Sequence, residues 1–454
     1  MTKRLIWLIK KHICRNIYED TSKNPLLRFG HFGAKHRNNR LQKLRQLTVT
    51  TLRKAKMMRS LVTNPIIIIG GDHHNTLAVL RCLGKFQCNL QLLVHTSHTE
   101  SETIFISHSR YAAGNIACVE ENTQAILQWL LEHKTGEKQI LFPCSDLAAY
   151  AIDTNYQTLC DHFLLPGFQS DPGNVARLMD KWEQSKFAAS YGLPMAKTWE
   201  LTAEDGFRIP KDLCYPCIVK PEISAFGSKS DIVICDTAQQ LADALKRLEE
   251  AQYKALVVQQ FLHKQYEVCN YGCLVGDKAL WAGGSIRKVR EFPPRGGGSL
   301  TYAQFIDEEA VNTLRDRILN ILYELGYRGQ YDIEFLVCSE GVYLNEINFR
   351  HSGNGYGLIQ NGVYAPYIWV ADAAGVIIPK TLRTQVKTGK YHMDELSDFY
   401  HLKHNHVSYL TWFCDCLRTS AFAKLDFSDL KGSFVYYVPV FKSVLRKLFS
   451  FKRS

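Results

Sequence analysis

Asp332-Ile-Glu-Phe-Leu-Val-Cys338, followed by Gly341-Val-Tyr-Leu-Asn-Glu-Ile-Asn-Phe-Arg350, decides how this chain reads. Ile333 to Val337 is an apolar run with Glu334 inside it. Cys338-Ser-Glu-Gly341 has the composition of a hairpin loop, and Gly341 can take positive φ at little cost. A second run, Val342 to Leu344, leads to Glu346, Asn348 and Arg350. Residues two apart on a strand share a face, so these three point the same way. Glu334 precedes Glu346 by twelve residues, which a hairpin folds back so that the carboxylates converge. Two carboxylates and an amide oxygen are hard ligands suited to Mg²⁺, which keeps waters and phosphates as its other ligands. Arg350 suits an anionic group on a substrate or intermediate. Alternation alone is also what any half-buried strand shows, so the segments upstream decide between the two readings.

Those segments follow in a consistent order. Met179-Asp-Lys181 opens a helix running toward Tyr191-Gly-Leu-Pro194. Pro216-Cys-Ile-Val-Lys-Pro221 reads as a strand carrying Lys220, and Val257-Val-Gln-Gln-Phe-Leu262 as another, with Glu267 shortly after. Together with the hairpin these make the chain resemble the ATP-grasp superfamily over roughly residues 175 to 380. The resemblance implies ATP as nucleotide and Mg²⁺ as metal, with Mn²⁺ able to substitute. It implies that Lys181 and Lys220 contact phosphates, and that Gln259, Gln260, Phe261 and Leu262 hold adenine. Glu267 would sit on the ribose hydroxyls. Glu334, Glu346 and Asn348 would ligate the metal, and Arg350 would lie beside the transferred phosphate. Two departures stand out. The linker often carries Glu where this chain has Gln259 or Gln260, and the segment Ser224 to Ser230, at the place of the phosphate-covering loop, contains only Gly227.

At 454 residues, two or three domains are the prior. Apolar content of 46% and charged content of 22% fit a soluble globular protein. No apolar run approaches the roughly 18 residues that a membrane-spanning helix needs. Leu5 to Ile9 is too short for a signal peptide core, and the fourteen cysteines are scattered, so reduced thiols and a cytoplasmic location are expected. Cys214-x-x-Cys217 reads as packing, and Cys414-x-Cys416 with His401, His404 and His406 reads the same way ahead of a zinc site. The charge is uneven. Residues 1–60 carry 16 Lys/Arg against 2 Asp/Glu, residues 442–454 carry 5 against none, and the body between is net −8. Leu5, Ile9, Ile13 and Ile17 recur every four residues among Lys and Arg. Basic amphipathic ends suit an anionic membrane surface, giving a peripheral placement at the inner membrane face, against the alternative of a helix packed on the body. Nucleic acid is not expected as a partner, because the apolar residues form a stripe and not stacking platforms. Assembly into an oligomer stays open.

The expected fold class is α/β: a Rossmann-like domain followed by a two-lobed α+β ATP-grasp domain. Residues 1–61 form a basic helical extension and 62–176 the Rossmann-like domain. Residues 177–380 form the ATP-grasp domain, with a small lobe over about 195–258, and 381–454 are an aromatic, basic segment of unassigned function. Ile66 to Ile69 running into Gly70-Gly71 predicts a buried parallel strand, with further strands at Leu90 to Val94 and Gln139 to Phe142 and a helix from Asn75 to Leu83. His73, Ser145 and Asp146 at strand ends are candidates for acceptor binding. Arg290 and Arg295, in Arg287-Lys-Val-Arg290-Glu-Phe-Pro-Pro-Arg295-Gly-Gly-Gly298, are expected to bind a carboxylate or acyl phosphate, and His351 to Gly357 to shape the acceptor pocket. The function implied is an ATP-dependent carboxylate–amine ligase working on small-molecule substrates through an acyl phosphate, with ADP and phosphate as products. The alternatives are a biotin-type carboxylase subunit and a non-catalytic ATP-binding scaffold.

Overall fold

The computed structural model describes residues 61–97, 104–112, 114–222, 231–276, 282–293, 298–379, 382 and 386–439, and every count below is of those. Both basic ends, Arg295, and the segment Ser224 to Ser230 lie outside them.

Four consecutive isoleucines form β1 (Ile66–Gly70), a strand with no solvent-facing side. Ile66 and Ile68 join the core under the helix His74–Lys85, while Ile67 and Ile69 join a second core under the helices Thr123–Glu132 and Asp146–Thr154. That is the pattern of a parallel strand covered by helices on both faces. With β2 (Leu90–Thr96), β3 (Ile116–Glu120), β4 (Gln139–Pro143) and β5 (Phe163–Leu164), β1 builds a parallel sheet in the order β3-β2-β1-β4-β5. The chain reverses its winding between β1 and β4, so a crevice opens beyond their carboxyl ends. Gly70 is required there, because an added Cβ would collide with Thr76 Oγ1 and approach Cys144 Cβ to 2.9 Å. A two-residue strand, β6 (Gly167–Phe168), follows β5.

The small lobe is an antiparallel sheet, β7 (Thr198–Thr202), β8 (Cys217–Pro221), β9 (Val233–Cys235) and β10 (Ala255–Gln260), in the order β7-β10-β8-β9. Leu201, Cys217, Val219, Cys235, Leu256 and Val258 pack under Leu241, Ala244, Leu245 and Leu248 of the helix Ala238–Glu250. Cys217 is a buried core thiol and Cys214 is exposed, both without a disulfide. The alternate residues, Ile218, Lys220, Val257 and Gln259, take the other face of the sheet.

The large sheet runs β15-β14-β11-β12-β13-β16-β17, built from β11 (Tyr266–Leu274), β12 (Ala282–Phe292), β13 (Ser299–Ile306), β14 (Tyr327–Cys338), β15 (Gly341–Asn348), β16 (Tyr391–Met393) and β17 (Thr419–Phe422), with β6 attached to β14. The turn between β14 and β15 is Ser339-Glu340, and Gly341 after it has φ 146°. Residues 386–439 are woven into the rest of the fold. β16 and β17 extend the large sheet, Asp398 and Asp415 clasp Arg290, and Asp429 clasps the fully buried Arg81.

His392 on β16 is fully buried, and burial, with a smaller opposing effect of Asp394, pushes its imidazole down to about 4. Above its unfolded pKa of about 6.5 neither state is protonated. As pH falls, the unfolded chain takes up the proton first, so this contribution to stability is lost between about 6.5 and about 4. The urea midpoint is expected to fall when pH drops from about 7.5 to about 5, and to fall less in His392→Gln. An equal drop in both proteins would reject this role.

Candidate active site

On the hairpin of β14 and β15 one face is apolar and the other carries polar and charged side chains. Val268, Ile333, Phe335, Ile347 and Phe349 pack in one core with Val311, Leu314, Ile318 and Leu322 of the helix Glu309–Glu324. The intervening side chains take the opposite face. Register pairs Asp332 with Asn348 and Glu334 with Glu346 across β14 and β15. The register slips after Glu334, and Asn345, absorbed by the slip, donates from Nδ2 to Glu334 Oε2 at 3.3 Å. On β11, Cys269 lies opposite Glu334 and Tyr271 opposite Asp332. Val268 pairs with Arg287 of β12, so Lys288 stands on the same face as Glu267. The hairpin therefore brings together the carboxylates and the amide that the sequence singled out.

Each charge on this face has a defined partner set. Glu267 is buried between Lys288, a close ion pair, and Lys264, 2.9 Å away. Burial opposes its charge, but Lys288 and Lys264 hold the carboxyl below the usual range. Lys264 also reaches Glu291 at 2.6 Å. Burial pulls Lys288 down, and the anionic Glu267 and Glu334 beside it outweigh that, so this ammonium stays charged. Asp332 is pushed well up by burial and then by Glu334, against the pull of Arg350 and Lys288. Its Oδ2 lies 3.6 Å from Arg350 Nη1, whereas its buried Oδ1 has no hydrogen-bond partner. Arg350 Nε donates to Asp146 Oδ1 at 2.8 Å, which ties the large sheet to the crevice of the parallel sheet.

The small lobe and the helix that precedes it supply the remaining cations. Lys220 Nζ donates to Gln259 Oε1 at 2.9 Å, and Gln259 Nε2 donates to Thr198 Oγ1 at 3.0 Å. Burial pulls the Lys220 ammonium below its usual range; Glu346, Glu334 and Glu267 counter this, while Lys181 adds to it. Lys181 is the first residue of the helix Lys181–Ser190, whose N-cap Asp180 accepts from Trp182 and Glu183 N–H. The Lys181 N–H donates to Glu222 O at 3.0 Å. Burial, then Asp180 and Glu200, push the Glu222 carboxyl up to about 8. Along the linker, the Gln260 N–H donates to Lys197 O and the Phe261 N–H to Pro216 O. The Gln260 side chain is exposed, and Phe261 and Leu262 are half-buried.

Oxygen donors of this kind fit Mg²⁺. Among the described residues, one His/Cys/Asp/Glu group has metal-holding geometry, and it centres here: Glu267, Cys269 and Glu334 offer atoms within 4.8 Å of one another. Burial pushes the Cys269 thiol well up, so it stays protonated and is a poor ligand. Glu346 lies across from Glu334 and Asn348 across from Asp332, whose Oδ1 has no hydrogen-bond partner; these oxygens are of the hard kind that suits Mg²⁺.

Arg290 requires a correction. Its Nε and Nη2 bond Asp398 at 2.9 and 2.7 Å, its Nη1 bonds Asp415 at 2.7 Å, and it lies over the Tyr302 ring. Both edges of the guanidinium are taken by carboxylates, so it anchors the C-terminal segment and has no fork left for a substrate carboxylate. Arg295 falls outside the described residues. His401 and His404 pack on the Phe292 ring at 3.6 and 5.0 Å. The sequence reading passed over Asp332, Lys264 and Lys288. The signal for Lys288 was present, since a lysine between Ile286 and Val289 on a strand needs a buried anion.

At the crevice, His73 and Asn75 follow β1 and Ser145 and Asp146 follow β4. His95 Nε2 lies 2.7 Å from Ser145 Oγ. The His73 side chain is exposed at the crevice mouth, where its Nδ1 lies 3.0 Å from Asn75 Oδ1. Asn75 Oδ1 accepts from the Gly353 N–H at 2.7 Å, which fixes the turn after Arg350 against the crevice.

Comparison with known proteins finds likenesses over this region. Residues 180–354 match the family described as carbamoyl-phosphate synthase L chain, ATP binding domain. Over that segment, less than half of the chain, the protein resembles an ATP-grasp domain. It is 22% identical over 204 residues to the carbamoyl phosphate synthase large chain of Saccharolobus solfataricus, covering 42% of this chain and 19% of that protein. It is 26% identical over 161 residues to the formate-dependent phosphoribosylglycinamide formyltransferase of Corynebacterium jeikeium, covering 34% and 38%. The chain thus spans well under half the length of these curated relatives. In fold it is similar to N5-carboxyaminoimidazole synthetase from Staphylococcus aureus, with TM-score 0.56 and 16% identity over 77% of this chain and 87% of that one. It is also similar to an L-amino acid ligase from Bacillus licheniformis, with TM-score 0.53 and 14% identity over 73% and 79%. No helix among the described residues is long and apolar enough to cross a membrane.

Proposed function

We propose that this protein is an ATP-dependent ligase that activates a carboxylate as an acyl phosphate and joins it to an amine, releasing ADP and phosphate. The observation that carries the reading is the charged sheet face: Glu334, Glu346, Asn348 and Asp332 on one hairpin, with Lys220, Lys288 and Arg350 around them. The difficulty in the first step is charge, because a carboxylate oxygen must approach an anionic γ-phosphate. Positioned cations remove most of that barrier without moving. Lys181 and Lys220 would neutralise the nucleotide phosphates, and Lys288 would add a buried ammonium on the same face. Arg350, locked by Asp146, would steady the transferring group at the crevice. Mg²⁺ held by Glu334, Glu346 and Asn348 would offset phosphate charge when bound. Gln259 to Leu262 would face adenine and Glu267 the ribose. The acceptor would enter the crevice beside His73, Ser145 and Asp146, where the His73 imidazole can accept a hydrogen bond from an amine. A small-molecule acceptor accords with two further structures of similar fold, an N5-carboxyaminoimidazole synthase from Aspergillus clavatus in complex with ADP and 5-aminoimidazole ribonucleotide and a biotin carboxylase domain from Hydrogenobacter thermophilus in complex with bicarbonate.

The test is Mg·ATP turnover to ADP against amino acids and small carboxylates, alone and in pairs. Release of ADP that needs one carboxylate and one amine supports the ligase. Release with bicarbonate alone moves the protein to carboxylation. ATP binding without turnover on any pair overturns the catalytic reading.

A further inference from the structure

Seventeen large apolar side chains are exposed among the described residues, and ten of them fall between residues 399 and 438. Six form one group around the helix Tyr409–Arg418: Phe399, Tyr400, Tyr409, Leu410, Phe413 and Leu417. Leu410, Phe413 and Leu417 recur at helical spacing and share a face. Leu410 is 74% exposed and Leu417 73% exposed. The helix is inverted relative to an ordinary surface helix. Its one fully buried residue is Asp415, held by Arg290, while its leucines face outward. The Phe399 ring meets Trp412 at 5.1 Å and Tyr409 at 6.0 Å, so the aromatic side chains continue the stripe.

Between residues 399 and 424 the exposed charge has one sign. Asp415 is the sole carboxylate between residues 399 and 424, and it is buried. Lys403, Arg418, His404 and His406 are exposed there. A second copy of this face would meet the same basic rim across a two-fold axis, and like charges would oppose pairing. An anionic bilayer offers the complement to both parts: acyl chains for Leu410, Phe413 and Leu417, headgroup phosphates for Lys403 and Arg418, and an interface for Tyr409 and Trp412.

We propose that the helix Tyr409–Arg418, with Phe399 and Tyr400, is a docking surface for an anionic lipid bilayer. The helix lies flat and does not cross. Arg290 fixes its orientation by clasping Asp415 and Asp398, so the apolar face is presented rigidly and not by a tethered tail. This proposal is independent of the ligase reading, since none of these side chains belongs to the nucleotide face.

The experiment is co-sedimentation of the full chain with vesicles of phosphatidylglycerol and phosphatidylcholine in equal parts, and with phosphatidylcholine alone. Binding to the anionic vesicles that weakens in high salt is expected, together with at least about a tenfold loss in Leu410→Gln/Phe413→Gln/Leu417→Gln. Lys403→Glu, a milder change at the rim, is expected to weaken anionic binding alone. Unchanged binding in the triple variant would overturn the proposal and assign binding to the basic ends. No binding, whether the protein is monomeric or forms a dimer that the triple variant dissolves, would overturn it too. Retained ATP binding and an unchanged thermal midpoint show that each variant is folded.

Discussion

Glu346→Ala is expected to lower Mg·ATP turnover by at least about a hundredfold, leaving the fold intact. Glu346 is half-buried and ends no core contact, so removing it makes no large cavity. Its cross-strand neighbour is Glu334, and its charge also offsets burial of Lys220. The loss therefore has two parts: a weaker hold on the metal and a less favourable ammonium opposite. Raising Mg²⁺ should recover some turnover if the first part dominates. Glu340→Ala is the control, because Glu340 lies on the same hairpin at the exposed turn. Equal turnover in wild type and Glu346→Ala would remove the hairpin from the chemistry.

Arg290→Met is expected to cost about 3–5 kcal/mol of stability, the usual penalty for leaving a buried charge unpaired. Asp398 has no solvent exposure, and Thr301 Oγ1, 2.7 Å away, is too weak a partner to replace a guanidinium. Arg290→Lys should rescue little, because an ammonium cannot span Asp398 and Asp415 together. The measurement is a denaturant midpoint alongside KM for ATP and for the acceptor. A lower midpoint with unchanged KM values confirms the anchoring role. An unchanged midpoint with a raised KM for the carboxylate would restore the reading of Arg290 as a substrate ligand.

Where the sequence was legible, a local period carried the message. Ile66 to Ile69 announced a strand buried on both faces, and Glu346-x-Asn-x-Arg350 announced one polar strand face. That Glu334 and Glu346 approach was legible from the hairpin, but the turn alone would set Glu334 opposite Asn345; the slip that absorbs Asn345 brings it opposite Glu346, and no local period announced that slip. Arg290 was misread because its partners lie 108 and 125 residues later, in a segment whose own pattern is mixed. Lys288 and Asp332 escaped notice for a related reason. A buried charge is decided by what stands across the sheet, and period alone does not name that neighbour. The C-terminal segment resisted reading because aspartates such as Asp398 and Asp429 are buried beside Met393 and Leu402, while large apolar residues such as Leu410 and Leu417 stay outside.

The clasp of Asp429 on Arg81 bears on how the chain is made. Arg81 lies in the first helix of the parallel-sheet domain, is wholly buried, and meets its counter-ion 348 residues later. During synthesis this helix emerges with a cation whose anion is not yet made, and burying it alone is strongly unfavourable. The parallel sheet and its helices therefore reach their final packing only after Asp429 has been translated. A chain cut short before Asp429 would leave every motif of the hairpin and the small lobe intact and still lack the means to bury Arg81.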